Sequence, residues 1–157
     1  MTARVPWRVV GHAFIPALQV LAPHRTNSPR HFHIRVVFTT FEDTKAALKA
    51  AADLSAGLSA GIDLVVPHIV PYPLPLARPS ISVSFTLRRL CQLAADTGLE
   101  LSIFVYFCRD ALQTLLQVLE PHSLIVIGTR RRWFSTKRER LAKALRKNGH
   151  EVVLARR

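Results

Sequence analysis

Short apolar runs rich in β-branched residues alternate along this chain with longer segments whose apolar residues recur at helical spacing. Runs of this kind predict strands, and they occupy residues 34–38, 62–70, 99–107, 124–127 and 152–154. Strands that alternate with helices are joined by right-handed crossovers, which build a parallel sheet covered by helices on both faces. The pattern therefore predicts an α/β domain with three layers, α/β/α, around a five-stranded parallel sheet.

Capping and breaking residues predict where the four helices begin and end. Thr40 stands three positions before Asp43, which resembles a capping box, and Asp110 is a candidate N-cap for the third helix. The predicted helices cover residues 41–60, 82–97, 111–120 and 137–147. The residues expected to end them are Gly61, Gly98, Pro121 and Gly149.

Side-chain patterns on two of the helices predict which residues face inward. In the second helix, the residues expected to pack are Phe85, Leu87, Leu90, Cys91 and Ala94. In the fourth helix, the residues expected to face inward are Leu141, Ala144 and Leu145, and those expected to face solvent are Arg138, Lys143, Arg146 and Lys147. Pro67 is unfavourable inside a central strand, so it is expected at an edge, a bulge or the end of the second strand.

The length of 157 residues suits one folded domain preceded by an extension. Residues 22–33 are rich in Pro, Asn, Ser and charge and lack periodicity, which is typical of a linker or tail. Residues 9–21 loosely resemble a signal peptide, but His12, Pro16 and Gln19 interrupt the apolar run. We therefore expect residues 1–33 to form a flexible N-terminal extension and residues 34–157 to form the domain.

Charge and cysteine content bear on partners and compartment. The chain carries 22 Lys and Arg against 10 Asp and Glu, a formal charge of +12, which favours anionic partners such as nucleotides or nucleic acid. No apolar run approaches the ~20 residues of a membrane span, so no membrane association is expected. Cys91 and Cys108 lie in apolar segments without zinc-binding spacing, which predicts core thiols and fits a cytoplasmic location.

Ligands of parallel α/β sheets bind beyond the carboxyl ends of the strands. In this chain those positions carry four candidate segments: Thr39–Thr40, the loop after Val70, Cys108–Asp110, and Gly128–Thr129 with Arg130, Arg131 and Arg132. No nucleophile–base pair, paired carboxylates or metal cluster is recognisable, so no catalytic residue and no metal are predicted. His31 and His33 lack a third ligand.

Several of these segments resemble the universal stress protein family. Residues 38–43, leading into Ala46–Leu48, are similar to the family's first strand, turn and first helix, and residues 66–70 are similar to its second strand. Residues 108–111 stand where the family commonly has Gly-Asp-Pro-Ala, and residues 124–129 resemble its Leu-Ile-Val-Met-Gly-Thr fourth strand. The resemblance implies strand order 3-2-1-4-5, the adenine nucleotide alpha hydrolase-like fold, and frequent homodimerisation through the fifth strand.

Members of the family that bind ATP use an aspartate after the first strand and a Gly-x-x-Gly…Gly-Ser/Thr loop after the fourth. Here Thr40 stands where the aspartate would be, Gly128 keeps the first glycine, and Arg131 replaces the second. Glycine lets the backbone approach a phosphate closely, whereas arginine binds phosphate through its side chain. The sequence therefore predicts no orthodox ATP site and no required cofactor.

Three hypotheses follow. The first is a non-catalytic universal stress protein-like module with a regulatory or stress-related role. The second is binding of a nucleotide or another phosphorylated ligand by the loop of Arg130–Arg132, with Thr39, Thr40, Val70, Gly128 and Thr129 beside it and Trp133 available to stack on a base. The third is association with nucleic acid or another polyanion through overall charge, although the chain contains no nucleic-acid-binding motif.

Overall fold

The computed structural model describes residues 7–10, 13–21, 32–76, 81–130 and 137–157, which contain seven strands and four helices. The strands are β1 Trp7–Val10, β2 Ala13–Leu21, β3 His33–Val37, β4 Gly61–Ile69, β5 Leu101–Cys108, β6 Leu124–Thr129 and β7 Glu151–Arg156. The helices are α1 Phe41–Leu58, α2 Ile81–Thr97, α3 Ala111–Val118 and α4 Lys137–Lys147.

Five of the strands form the parallel sheet that the sequence pattern predicts. Their order is β5-β4-β3-β6-β7, which is 3-2-1-4-5 when the strands are counted from β3. Helices flank this sheet, so the predicted three-layer α/β/α fold is confirmed. The parallel arrangement places all five carboxyl ends at one edge, which is called the carboxyl edge below.

Two antiparallel strands extend the sheet beyond β5. β2 pairs with β5, with Leu21 opposite Ser102, and β1 pairs with β2 in turn. These strands lie within residues 1–33, which the sequence predicts as a flexible extension without strands. The segment predicted as a linker, residues 22–33, lies outside the described residues except for Phe32 and His33, and His33 already belongs to β3.

Apolar side chains pack on both faces of the sheet. On one face, Leu48 of α1 and Leu90 of α2 pack with Val36. On the other, Leu115 of α3 and Leu145 of α4 pack with Val37, the next residue of the same strand. Because successive strand residues point to opposite faces, the continuous apolar run of β3 supplies both cores.

Most predicted caps are confirmed. The Thr40 hydroxyl accepts from the backbone N–H of Asp43 (3.3 Å), and Asp110 accepts from that of Gln113 (2.8 Å). The prediction that Gly61 ends α1 is wrong, because Ser59 adopts the left-handed conformation there (φ 50°) and Gly61 begins β4. A side chain at Gly61 would meet the ring of His33, with a Cβ only 2.8 Å from Nδ1.

The second helix buries a narrower stripe than predicted. Leu90, Leu93 and Ala94 are buried, whereas Phe85 and Cys91 are exposed, so the prediction that the latter two pack in the core is wrong. Leu90, Leu93 and Ala94 follow the i, i+3, i+4 spacing of one helical face, and Phe85 and Cys91 fall outside it. Cys108 is buried as predicted.

Pro67 lies inside β4, opposite Tyr106 of β5. The N–H of Phe38 donates to the carbonyl of Val65, so Val65 and Pro67 direct their backbone groups toward β3. The last residue of β4 that pairs with β3 is Val65. The missing N–H of proline therefore removes no hydrogen bond between β3 and β4, because β3 has already ended. Within the described residues, no helix is both long and apolar enough to cross a membrane.

Candidate functional site

The carboxyl edge brings together segments that are far apart in the sequence. Thr39 and Thr40 follow β3, Arg130 follows β6, and Arg157 follows β7. The first turn of α1, which begins at Phe41, lies beside them, since α1 packs against β6 and β7. The site is therefore built where the fold rule for parallel sheets places ligands.

Asp43, in the first turn of α1, is the centre of this site, and its side chain is fully buried. Its Oδ2 accepts a hydrogen bond from the Thr40 hydroxyl (2.9 Å) and lies 2.8 Å from Nη2 of Arg138. A buried carboxylate is stable only when it is paired and hydrogen-bonded. Thr40 and Arg138 supply both of these interactions to the same oxygen.

The other carboxylate oxygen of Asp43 faces two more arginines. Its Oδ1 lies 4.0 Å from Nε of Arg130 and 3.9 Å from Nε of Arg157, and it accepts no hydrogen bond. Arg157 also lies 3.6 Å from the carboxylate of Glu42. Three guanidinium groups therefore surround two carboxylates, which leaves one net positive charge in this cluster.

Arg138 is placed differently from the sequence prediction. Its helical position suggested a solvent-facing residue, but its side chain is only 22% exposed and is directed to Asp43. The helical pattern of α4 could not reveal this, because the partner belongs to α1 on the opposite face of the sheet. The pair therefore ties together the two helical layers across the carboxyl edge.

Gly128 has a structural role that does not involve phosphate. A Cβ built on Gly128 would overlap the backbone carbonyl oxygen of Asp43. This atom belongs to helix backbone and cannot turn aside as a flexible side chain could. The glycine is thus required for the close approach of α1 to β6, and its presence alone is no sign of a phosphate-binding loop.

The threonines of the predicted site are engaged to different degrees. Thr40 caps α1, and the backbone N–H of Thr39 donates to the hydroxyl of Thr44 (3.2 Å). The hydroxyl of Thr129 contacts the carbonyl of Arg130 (3.3 Å), and Thr129 is buried. By contrast, the hydroxyl oxygen of Thr39 is buried without a hydrogen-bond partner.

The backbone polar groups of Val70 are already used within the fold. Its N–H donates to the carbonyl of Cys108 (2.9 Å), and its carbonyl accepts from Nη1 of Arg109 (2.6 Å). Arg109 also donates to the carbonyl of Leu74 (2.6 Å), so this arginine organises the loop after β4. Burial raises the pKa of the Cys108 thiol, which keeps it protonated and unreactive.

Two of the predicted candidates, Arg131 and Arg132, lie outside the described residues, as does Trp133. Of the predicted site, the structure brings Thr39, Thr40, Gly128, Thr129 and Arg130 together around the start of α1. Asp43, Arg138 and Arg157 complete the cluster. The sequence signals did not select these three as site residues.

A second ionic cluster lies at the opposite edge of the sheet. Asp63 is buried at the start of β4, where it pairs with Arg35 and lies 3.2 Å from Nδ1 of His33. Arg35 also lies 3.6 Å from Glu120. These contacts join the entry points of β3 and β4. No group of three or more His, Cys, Asp and Glu side chains in the described ranges is arranged to hold a metal ion.

Comparison of the chain with protein-family models gave no match, and comparison with curated proteins gave none. The chemistry of the site must therefore be inferred from its own geometry. The Asp43 cluster contains two carboxylates, three guanidinium groups and the Thr40 hydroxyl, and it keeps one net positive charge. Such an arrangement holds a fold together and attracts an anion weakly through its excess positive charge, but it presents no activated nucleophile.

Proposed function

We propose that this chain is a non-catalytic universal stress protein-like module that acts in the cytoplasm through binding, in a regulatory or stress-related role. The strand order 3-2-1-4-5 agrees with the order that the family resemblance implies. The proposal excludes orthodox ATP binding. The observation that carries it is the ion pair between Asp43 and Arg138, which joins α1 and α4 at the edge where a nucleotide phosphate would be held.

Charge supports the absence of an orthodox phosphate site. A phosphate-binding loop directs unpaired backbone N–H groups and cations at the ligand. At this edge Asp43 and Glu42 already occupy the first turn of α1, where the helix dipole favours negative charge. A triphosphate that approached Arg130 or Arg138 would have to displace the buried Asp43 carboxylate or be repelled by its negative charge.

Homodimerisation through β7 is part of the proposal. β7 is the last strand of the sheet on its side and pairs only with β6 in the described part of the chain. The carbonyl of Val152 on the outer side of β7 accepts from Nη2 of Arg146 (2.6 Å). The other backbone groups on an edge strand of this kind can pair with a second copy. Val153 and Leu154 of this strand are only partly buried in the single chain.

The proposal is tested by titrating Mg-ATP into the full chain at near-physiological salt, with phosphate release measured in parallel and the mass determined by light scattering. We expect no saturable ATP binding, no phosphate release and the mass of a dimer. Saturable binding or turnover of ATP would overturn the non-catalytic proposal. A monomeric mass would remove the dimer from it.

A second candidate function is binding of a nucleotide or another phosphorylated ligand by the Arg130–Arg132 loop. Two observations favour it: the Arg130 side chain is 49% exposed, and the buried Thr39 hydroxyl lacks a partner. An arginine fork can bind phosphate without a glycine loop. For this candidate, saturable binding of AMP or ATP should weaken in Arg131→Ala and remain unchanged in the control Lys147→Ala. Equal affinity in both variants would remove it.

A further inference from the structure

Two exposed aromatic side chains at the carboxyl edge are held in place by arginines. The first is Tyr72, in the loop after β4, which is 81% exposed. Arg109 lies over its ring, with Cζ 4.0 Å from the ring centroid. Because Arg109 also donates to the carbonyls of Val70 and Leu74, it fixes the loop that presents the ring.

The second exposed ring is Phe85 in the first turns of α2, and it is 62% exposed. Arg89, one turn further along α2, lies 3.8 Å from the ring centroid of Phe41 and 5.8 Å from that of Phe85. Phe41 is itself packed edge-on against Phe38 at the end of β3. An arginine thus links the exposed ring of α2 to the aromatic pair at the carboxyl edge.

Positive charge continues along the same edge. Arg109, Arg130 and Arg157 follow the ends of β5, β6 and β7, and Arg130 and Arg157 are 49% and 39% exposed. Neighbouring strands lie about 4.8 Å apart, so the four intervals from β5 to β7 span about 19 Å. The strip formed by Tyr72, Phe85, Arg89, Arg109, Arg130 and Arg157 is called the arginine–aromatic strip below.

Acidic groups cancel only part of this charge, because Arg130, Arg138 and Arg157 together face two carboxylates and keep one net positive charge. Asp43 is buried and paired with Arg138, and Asp110 accepts the backbone N–H at the start of α3. Glu42 is exposed and lies 3.6 Å from Arg157. The strip contributes four guanidinium groups, and the whole chain carries a formal charge of +12.

We propose that the arginine–aromatic strip binds single-stranded nucleic acid, with bases stacked on Tyr72 and Phe85 and backbone phosphates on the arginines. Exposed rings beside cations are the combination by which proteins hold single strands with little sequence preference, because every base has a face that can stack. A duplex hides those faces, and an acidic polypeptide of glutamate has none. The inference goes beyond the proposed function and does not depend on whether the chain belongs to the family named above.

The test is fluorescence anisotropy of labelled oligo(dT) and oligo(U) of about 12 nucleotides, a length within the known range of single-strand sites. We expect Tyr72→Ala and Phe85→Ala each to weaken binding roughly five- to 150-fold, the range for loss of one base–aromatic stack. Tyr72→Phe and Phe85→Tyr, which keep a ring, should bind as the unmodified chain does. Leu58→Ala, which removes an exposed apolar side chain at the far end of α1, is the matched control and should change nothing.

Salt dependence tests the arginines separately. The logarithm of the binding constant should fall linearly with the logarithm of salt concentration, and Arg130→Ala should reduce the slope by about 0.7, the value for one phosphate contact on a single strand. Lys147→Ala, at the other end of α4, should leave the slope unchanged. Circular dichroism confirms that each variant is folded.

Three outcomes would overturn the inference. The first is the absence of saturable binding, and the second is equal affinity in Tyr72→Ala, Phe85→Ala and Leu58→Ala. The third is equal competition by polyglutamate, which carries charge without bases and would assign the binding to charge alone. None of these outcomes depends on the ATP titration that tests the proposed function. Failure of this inference and failure of the proposed function are therefore distinguishable.

Discussion

Asp43 and Arg138 form a 2.8 Å ion pair that joins the first turns of two helices lying on opposite faces of the sheet. The carboxylate is fully buried, and the guanidinium is largely buried. Both residues belong to the edge where parallel sheets bind their ligands. The pair therefore bears on stability and on ligand binding at once.

Removal of Arg138 should destabilise the protein strongly. Arg138→Met leaves the buried Asp43 carboxylate with the Thr40 hydroxyl and with Arg130 and Arg157 at about 4 Å, so we expect the free energy of unfolding to fall by about 2–4 kcal/mol. Lys143→Met, on the exposed side of the same helix, should change it by less than about 0.5 kcal/mol. Urea denaturation measures both. Similar small losses in the two variants would mean that the pair contributes little.

Gly128→Ala should be far more costly than an equivalent change elsewhere. The added methyl group would overlap the Asp43 carbonyl, and we expect a loss of at least about 2 kcal/mol from overpacking. Gly57→Ala is the matched control, because nothing lies within 4 Å of its Cβ position and it stands inside α1. That change should stabilise the helix by about 0.5–1 kcal/mol. Equal effects of the two substitutions on the melting temperature would refute the role assigned to Gly128.

Acidification should destabilise the fold through His150. Burial, and secondarily the neighbouring His122, lowers the pKa of His150 below its ordinary value of 6.5. The unfolded chain therefore binds the proton more readily, and stability is lost as pH falls from 6.5 toward the folded-state pKa. His150→Gln should reduce the loss of stability measured by urea denaturation between about pH 7.5 and about pH 5.5. If His150→Gln loses as much stability on acidification as the unmodified chain does, His150 is not the source of that loss.

The cap of α3 offers a small, separable effect. Asp110→Ala removes the acceptor for the Gln113 N–H and should cost about 1 kcal/mol, whereas Asp110→Asn keeps a good cap and should cost little. Thermal denaturation of the two variants gives the comparison. If alanine and asparagine are equivalent at this position, the capping role assigned to Asp110 is wrong.

Local patterns predicted most of the fold. Strand and helix types from residue 34 onward, the caps at Thr40 and Asp110, and the glycine at 149 depend on neighbours within a few residues, and the structure confirms them. The end of α1 was misplaced because Ser59 takes the left-handed conformation that glycine usually provides. Local sequence contains the signal for such features, with a margin of a few residues at the ends of elements.

The candidate site was less predictable, for a physical reason. Its location follows from the general rule for parallel sheets, and Thr39, Thr40 and Arg130 lie at that edge. Asp43 was recognised only as a capping residue, and Arg138 as a solvent-facing one. Their pairing arises only when the sheet brings α1 and α4 to the same edge, so no local pattern contains it.

The absence of an orthodox ATP site is tested most directly by a crystal structure of the full chain grown with Mg-ATP at near-physiological salt. We expect an intact Asp43–Arg138 pair, Arg130 beside the same carboxylate, and no nucleotide on the backbone of residues 128–138. A nucleotide whose phosphates lie in a cradle of converging N–H groups in that segment, with Arg138 turned away from Asp43, would contradict this expectation.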